Sequence, residues 1–205
     1  MKKLKKIAII DYGMGNLFSI KSACKKVGLN GYLSDDKKNI MDSDAVILPG
    51  VGSFFEAMNK IKIKKLNLTL EKFQNTQKPI IGICLGMQLF FDKSYEYKKT
   101  NGLGFIKGEV KKLDKDNHLN IGWHPILKKK NHLIMKNINN QSHMYFVHSY
   151  YCKPTDEEVI LTETNYSNLN FCSSIQKSNL FGFQFHPEKS GEMGLNFYYN
   201  LKDLI

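Results

Sequence analysis

The stretch 79–88 constrains the fold more than any other part of this 205-residue sequence. A short apolar run rich in β-branched residues ends in Gly-x-Cys-x-Gly, centred on Cys84, and amphipathic spacing follows from Leu85. This pattern predicts a strand, a tight turn and a helix. Gly82 and Gly86 lack a Cβ, which lets strand and helix approach each other as they do in a nucleophile elbow. The turn is therefore expected to hold Cys84 in strained backbone space.

Cys84 is a candidate nucleophile. At the start of a helix, the partial positive charge and free N–H groups favour the thiolate over the thiol. The alternative is a buried core cysteine, which is the commonest fate of a free cysteine. The strand, turn and helix context favours the catalytic interpretation.

A candidate base lies near the far end of the chain. Residues 181–188 alternate in polarity, which predicts a strand with His186 and Glu188 on the same side. Pro187 marks the end of that strand, where side chains reach an open site. His186 would move the proton for Cys84, and Glu188 would orient the imidazole. Taken alone, the sequence His-Pro-Glu is about as likely to have a capping or turn role as a catalytic one.

Three motifs together resemble a known family. Residues 49–52 (Pro-Gly-Val-Gly), 82–88 and 186–190, in this order and spacing, resemble the class I glutamine amidotransferases. Residues 11–17 and 145–150 narrow the resemblance to the glutaminase subunits of imidazole glycerol phosphate synthase. The resemblance covers essentially the whole chain. It implies a three-layer α/β fold with a mostly parallel central sheet and an added antiparallel part, and hydrolysis of L-glutamine without a metal or an organic cofactor.

The resemblance also implies roles for individual residues. The backbone N–H groups of Val51 and Leu85 would form the oxyanion hole, and we hypothesise that the Gly50–Val51 peptide flips to present its N–H only when a partner is bound. Without the resemblance, Gln88 and Glu96 would be ordinary solvated helix residues, and 145–150 a core strand. The implied substrate-binding residues are Gly50, Gly52, Gln88, Glu96, Ser149 and Tyr150. The implied partner-facing residues are Asn16, Trp123, Tyr145 and Lys189.

The partner implied by the resemblance is a (β/α)8 barrel subunit. It would form a heterodimer with this chain and use the ammonia to make imidazole glycerol phosphate in histidine biosynthesis. Many family members carry His-Met-Gly-Trp-Asn where residues 120–124 stand, and this chain differs at three of the five positions. The alternative within the class is therefore a paralogue that supplies ammonia to a surface-sugar amidotransferase. A cysteine peptidase or an inactive binding subunit is disfavoured by the intact motifs.

Composition excludes several other classes. The net charge is +11, but all thirty basic residues are lysine, and arginine, which is suited to forked contacts with phosphate and guanine, is absent. We therefore expect no nucleic-acid partner. No apolar run is long enough for a membrane span and no signal peptide is evident. The four cysteines form no C-x-x-C pair, which fits a reducing cytoplasm and argues against zinc.

The order of the predicted elements indicates one domain over residues 1–205. Strands at 7–11 and 44–48 alternate with helices at 17–27 and 53–77, which predicts a parallel sheet. The glycine turn after the first strand lacks the third glycine of a dinucleotide-binding loop, because Phe18 stands there. The second half is expected to add antiparallel strands at the sheet edge, namely 108–113, 144–147, 159–161 and 171–175. Nucleophile and base would meet at the carboxyl ends of the strands.

Overall fold

The computed structural model describes residues 4–113 and 119–205. Fourteen strands and six α-helices lie within these residues. The strands are β1 (Lys6–Ile10), β2 (Asn30–Ser34), β3 (Ala45–Leu48), β4 (Ile80–Ile83), β5 (Phe91–Ser94), β6 (Thr100–Asn101), β7 (Ile106–Lys112), β8 (Asn120–Pro125), β9 (Leu127–Lys128), β10 (His143–His148), β11 (Tyr150–Pro154), β12 (Ile160–Tyr166), β13 (Leu169–Lys177) and β14 (Leu180–Phe183). The helices are α1 (Leu17–Lys26), α2 (Lys37–Met41), α3 (Phe54–Ile63), α4 (Leu66–Gln74), α5 (Leu85–Gln88) and α6 (Gly191–Leu204).

One large sheet organises the chain, in the order β2-β1-β3-β4-β14-β13-β11-β7-β5-β6. The first five strands of this order are parallel. From β13 to β7 the pairing is antiparallel, β5 is again parallel to β7, and β8 pairs with β10 in a separate antiparallel ribbon. The expected α/β fold with a parallel sheet and an antiparallel addition is confirmed. One strand of the second half, β14, joins the parallel part.

Helices cover both faces of the parallel strands. The strands β3, β4 and β14 are buried along their whole length, as expected for strands covered on both sides. The helices α2, α3 and α4 contribute to one apolar core, while α1 and α6 contribute to the other. The protein therefore has three layers. None of the helices within the described residues is long and apolar enough to cross a membrane.

The single helix expected over 53–77 is wrong, because two helices occupy that range. Helix α3 ends at Ile63, and Lys65 has a left-handed φ of 56° before α4 begins. The apolar positions explain the break, since Ile61 and Leu66 are five residues apart and both are buried. A continuous helix repeats its apolar face every three or four residues, so a step of five requires a turn.

Candidate active site

Cys84 lies between the end of β4 and the start of α5, with φ of 53° and ψ of −110°. A positive φ is costly for a residue with a Cβ and persists only where the surroundings enforce it. The two neighbouring glycines are part of that constraint. A Cβ on Gly82 would lie 2.7 Å from the Gly86 backbone, and a Cβ on Gly86 would lie 1.8 Å from the Leu48 carbonyl oxygen. The predicted strand, strained turn and helix are confirmed.

Helix α5 is only one turn long, from Leu85 to Gln88. A helix macrodipole grows by adding aligned peptide units, so a single turn contributes little of it. The expected help from a helix N-terminus to a Cys84 thiolate is therefore small. Other groups near the sulfur must supply most of the electrostatic stabilisation.

His186 and Glu188 form a buried pair. His186 Nδ1 lies 2.8 Å from Glu188 Oε1, and the two side chains are 3% and 0% exposed. The predicted strand over 181–188 is too long, because β14 ends at Phe183 and Pro187–Lys189 form a 3₁₀ turn. The turn, rather than the two-residue period of a strand, brings the carboxylate back to the ring.

The turn that carries His186 is held by a ring of hydrogen bonds to β10. The His186 N–H donates to the Tyr145 carbonyl oxygen at 2.9 Å, and the Tyr145 N–H donates to Ser190 Oγ at 3.0 Å. Ser190 Oγ in turn donates to the His186 carbonyl oxygen at 2.7 Å. The backbone on both sides of the imidazole is thus anchored.

Pairing between β4 and β14 places Cys84 and His186 at one site. The two strands are parallel neighbours, with Ile83 opposite Phe183, so the chain leaves both at the same sheet edge. An open cavity of about 530 Å³ lies there. Its lining consists of Val51, Gly52, Ser53, Glu56, Cys84, Leu85, Gln88, Glu96, Tyr97, Val147, His148, Ser149, Tyr150 and His186.

Most of the residues predicted for the site line this cavity. Two do not: the Glu188 side chain lies behind His186, and Gly50, within the Pro-Gly-Val-Gly loop, packs against Tyr12 and Leu85. A Cβ on Gly50 would lie 2.7 Å from the hydroxyl of Tyr12, so the position tolerates only glycine. Three lining residues, Ser53, Glu56 and Tyr97, were not predicted because they fall outside the motifs. Val147 and His148 lie within the motif 145–150, but only Ser149 and Tyr150 of that motif were predicted to contact the substrate.

The protonation state of His186 depends on its two neighbours, Cys84 and Glu188. Burial by itself lowers the pKa of His186, but its interactions with Cys84 and Glu188 outweigh that effect and raise the pKa to about 10. Nε2, the ring nitrogen not used by Glu188, is buried and has no hydrogen-bond partner among residues 4–113 and 119–205. At neutral pH the ring is therefore a cation whose free N–H can be given to a reacting group.

The second histidine of the cavity, His148, differs from His186 in its protonation state. Burial lowers its pKa to about 4, so it is neutral at physiological pH. Its Nδ1 lies 2.9 Å from the Tyr150 carbonyl oxygen and its Nε2 lies 3.0 Å from Asn120 Nδ2. Both ring nitrogens are occupied by structural hydrogen bonds. Of the two histidines, His186 is the one suited to proton transfer.

A chain of side-chain amides reaches the Cys84 sulfur from the interior. Gln88 Nε2 donates to the Tyr150 carbonyl oxygen at 2.8 Å and to Gln184 Oε1 at 3.0 Å. Gln184 Nε2 lies 3.6 Å from Cys84 Sγ. Gln184 was not predicted as a site residue. A signal was present, since a glutamine stands among aromatic residues in a run that had to be buried.

Two carboxylates, those of Glu56 and Glu96, line the cavity close to each other. Glu96 Oε2 accepts a 2.6 Å hydrogen bond from the Phe54 N–H at the start of α3. Burial raises the pKa of Glu96, the Phe54 N–H opposes that effect, and the nearby charge of Glu56 adds to it. Two acidic groups at one end of the cavity provide a place for a cationic part of a substrate.

The Pro-Gly-Val-Gly loop lines the cavity through Val51 and Gly52. Tyr12 donates from its hydroxyl to the Pro49 carbonyl oxygen at 2.8 Å, which anchors the start of the loop, whereas Val51 is 44% exposed. Within the part of the chain that the structure describes, the N–H groups of Val51 and Leu85 donate to no backbone carbonyl. Both donors are available for a ligand.

The predicted partner-facing residues lie on the surface and in part cluster together. Trp123 is 52% exposed, and its ring contacts Tyr145 edge-on at 5.9 Å across the β8–β10 ribbon. Lys189 Nζ lies 5.8 Å from the centre of the same tyrosine ring. Asn16 caps α1 by accepting a hydrogen bond from the Ser19 N–H at 3.4 Å, so its local role is structural.

Comparison with known proteins identifies the class. The family model described as "Glutamine amidotransferase class-I" matches residues 8–201. A solved structure of PurLQS from Thermotoga maritima superposes with a TM-score of 0.79 at 18% identity, over 98% of this chain and 99% of that one. Another, described as a glutamine amidotransferase, superposes with a TM-score of 0.73 at 14% identity, over 96% of this chain and 98% of that one. The chain is a class-I glutamine amidotransferase by family, and its fold is that of these solved structures.

More similar relatives narrow the family. A protein of Bacillus cytotoxicus is 43% identical over 201 residues, covering 97% of this chain and 95% of the relative. A protein of Pyrococcus furiosus is 42% identical over 201 residues, covering 98% of this chain and 100% of the relative. Both are described as "Imidazole glycerol phosphate synthase subunit HisH". The chain therefore belongs to the HisH family, and the family resemblance inferred from the motifs is confirmed.

Proposed function

We propose that this chain is the glutaminase subunit of an imidazole glycerol phosphate synthase, with Cys84 as nucleophile and His186 and Glu188 completing a triad. The observation that carries the proposal is the parallel pairing of β4 with β14. It places a strained cysteine and a buried His-Glu pair at one cavity.

The geometry supports a reaction in two steps. The Cys84 thiolate attacks the side-chain amide carbon of L-glutamine, and the N–H groups of Val51 and Leu85 stabilise the resulting oxyanion. His186 gives its Nε2 proton to the leaving nitrogen, which departs as ammonia and leaves a γ-glutamyl thioester. His186 then takes a proton from water, the hydroxide attacks the thioester, and glutamate leaves as the sulfur is restored. Glu188 holds the imidazole and stabilises its charged form.

The substrate is held at the carboxylate end of the cavity. Glu96 would attract the α-ammonium of glutamine, and Glu56 lies close enough to add to the negative potential there. Gln88, Ser149 and Tyr150 would complete the contacts, together with the loop glycines Gly50 and Gly52. Binding of the ammonium by these carboxylates would orient the side-chain amide of glutamine for attack by Cys84.

The ammonia would pass to a (β/α)8 barrel subunit in a cytoplasmic heterodimer that serves histidine biosynthesis. Asn16, Trp123, Tyr145 and Lys189 would face that subunit, and an exposed tryptophan paired with a tyrosine is a common anchor at interfaces. We propose that binding flips the Gly50–Val51 peptide and completes the oxyanion hole. We propose neither a nucleic acid nor a membrane as a partner of this chain.

The test is glutamate release from glutamine by the purified chain, alone and with the barrel subunit and its nucleotide substrate. Cys84→Ala is the blank and should show no turnover while retaining the wild-type fold. Strong stimulation by the barrel subunit is the expected result. Appreciable turnover by Cys84→Ala would overturn the mechanism. If the barrel subunit neither binds nor stimulates while a thiol probe still labels Cys84, the partner belongs to another pathway, such as surface-sugar amidation.

A further inference from the structure

A chain of hydrogen bonds connects the Tyr150 carbonyl, through Gln88 and Gln184, to the Cys84 sulfur. The Tyr150 carbonyl fixes the direction of every bond in this chain. A backbone carbonyl can only accept, so the Gln88 atom that faces Tyr150 at 2.8 Å must be its amide nitrogen. The second hydrogen of that nitrogen points to Gln184, which must therefore present its oxygen at 3.0 Å. The remaining end of the Gln184 amide is a nitrogen, and it faces the Cys84 sulfur at 3.6 Å.

We propose that Gln184 is a positioning residue for the reaction: its side-chain N–H donates to the Cys84 sulfur, stabilising the thiolate and directing it into the cavity. Gln88 and the Tyr150 carbonyl lock Gln184 in this orientation. The inference rests on the proposed role of Cys84 as nucleophile and adds a donor that the triad does not contain.

The surroundings of the sulfur explain why such a donor is needed. As a thiol, Cys84 can donate to the Val147 carbonyl oxygen, 3.8 Å away. As a thiolate it has no hydrogen to give, so that contact becomes a repulsion between two acceptors. The one-turn helix α5 offers little compensation, so the thiolate depends on the charge of His186 and on the Gln184 N–H. Hydrogen bonds to a charged acceptor are stronger than those to a neutral one, so the Gln184 contact strengthens when the sulfur ionises.

Burial makes the arrangement rigid. Gln184 is fully buried and Gln88 is 5% exposed, so water does not compete for either amide. A reversal of the Gln184 amide would set its oxygen against the sulfur and its nitrogen against the Gln88 nitrogen. Both contacts would be unfavourable, which leaves one orientation.

The experiment measures the rate of Cys84 alkylation by iodoacetamide against pH in the full chain, with mass spectrometry of the Cys84 peptide. All four cysteines are buried, but Cys24, Cys152 and Cys172 do not line the cavity and should stay unmodified, which checks that the chain remains folded. Gln184→Glu keeps the shape but faces the sulfur with an acceptor, and Gln184→Met has no donor. Both should move the profile to higher pH, Gln184→Met by about one unit, which is about tenfold in rate below the midpoint.

Asn200→Leu is the matched control. Asn200 is also a buried amide, but it donates to the carbonyl oxygens of Ile134 and Lys136, away from the cavity. Its loss should destabilise the fold and leave the alkylation profile in place. Coincident profiles for wild type and both Gln184 variants would overturn the inference. If Cys84→Ala retains turnover, the nucleophile assignment itself fails, which is a separate outcome.

A second measurement does not require the Gln184 variants to fold. In the wild-type chain, the side-chain amide protons of Gln184 should shift by NMR as Cys84 ionises. The same protons should move to a different position in Cys84→Ala, where no sulfur accepts from them. Amide resonances unaffected by both changes would overturn the proposal.

Discussion

Glu188→Gln should move the pH dependence of catalysis while leaving substrate binding nearly unchanged. Glutamine at 188 has the size of glutamate and can still accept a hydrogen bond from His186 Nδ1, but it carries no charge. The Nδ1–Oε1 separation is 2.8 Å and both side chains are shielded from water, so the lost attraction is large. An opposite charge at such a distance typically shifts a pKa by about one to three units.

The pKa of His186 is raised to about 10 in the folded protein, so the wild-type imidazole stays protonated across the physiological range. In Glu188→Gln the alkaline limb of kcat/KM should move down by about one to three pH units. The raised pKa of His186 also makes the free energy of unfolding depend on pH. A raised histidine pKa stabilises the fold fully below the ordinary value of 6.5, and this contribution is lost as the pH rises through about 10. In Glu188→Gln the stabilisation of the fold by protonated His186 should be smaller and should be lost at a lower pH than in the wild type.

The assay is glutamate release by the complex between pH 6 and 10, with kcat and KM separated. Glu192→Gln is the control, because Glu192 is an exposed carboxylate near the start of α6. KM for glutamine should change little in Glu188→Gln, since the Glu188 side chain does not line the cavity. An alkaline limb that coincides with that of the wild type would refute the role given to the His-Glu pair.

Three further predictions follow from the cavity, the elbow and the surface. Glu96→Gln should raise KM for glutamine by about tenfold to a hundredfold. Because burial raises the pKa of Glu96, wild-type kcat/KM should fall on the acid side at a higher pH than an ordinary glutamate would give, and this limb should vanish in the variant; an unchanged limb would assign it to another group. Gly86→Ala would place a Cβ 1.8 Å from the Leu48 carbonyl oxygen and should lower the free energy of unfolding by about 3 kcal/mol in urea titrations, so wild-type stability would contradict the close approach. Trp123→Ala should weaken binding of the barrel subunit by about thirtyfold in a titration, whereas Tyr199→Ala, an exposed aromatic on α6, should not; equal affinities would remove this face from the interface.

The local features of the site were readable from residue order because backbone sterics act over a few positions. Gly82 and Gly86, on either side of Cys84, predict a tight turn because residues with a Cβ would clash there, and the structure has that turn. The pairing of His186 with Glu188 was also predicted, although a 3₁₀ turn rather than a strand produces it. The break between α3 and α4 was missed, although a five-residue apolar step marks it.

Residue order alone predicts the reactive groups and their local backbone: a strained cysteine, a histidine with its carboxylate, and the motifs of a family. How these parts meet depends on long-range contacts in the folded chain. The pairing of β4 with β14 joins positions about a hundred residues apart, and no local pattern encodes which strand will be the neighbour. The same pairing brings Gln184 to the Cys84 sulfur, while contact with Phe146 and Phe171 buries His148 in its neutral form. Burial and long-range contact set those roles, because a buried hydrogen bond has direction and strength only once its partners are in place.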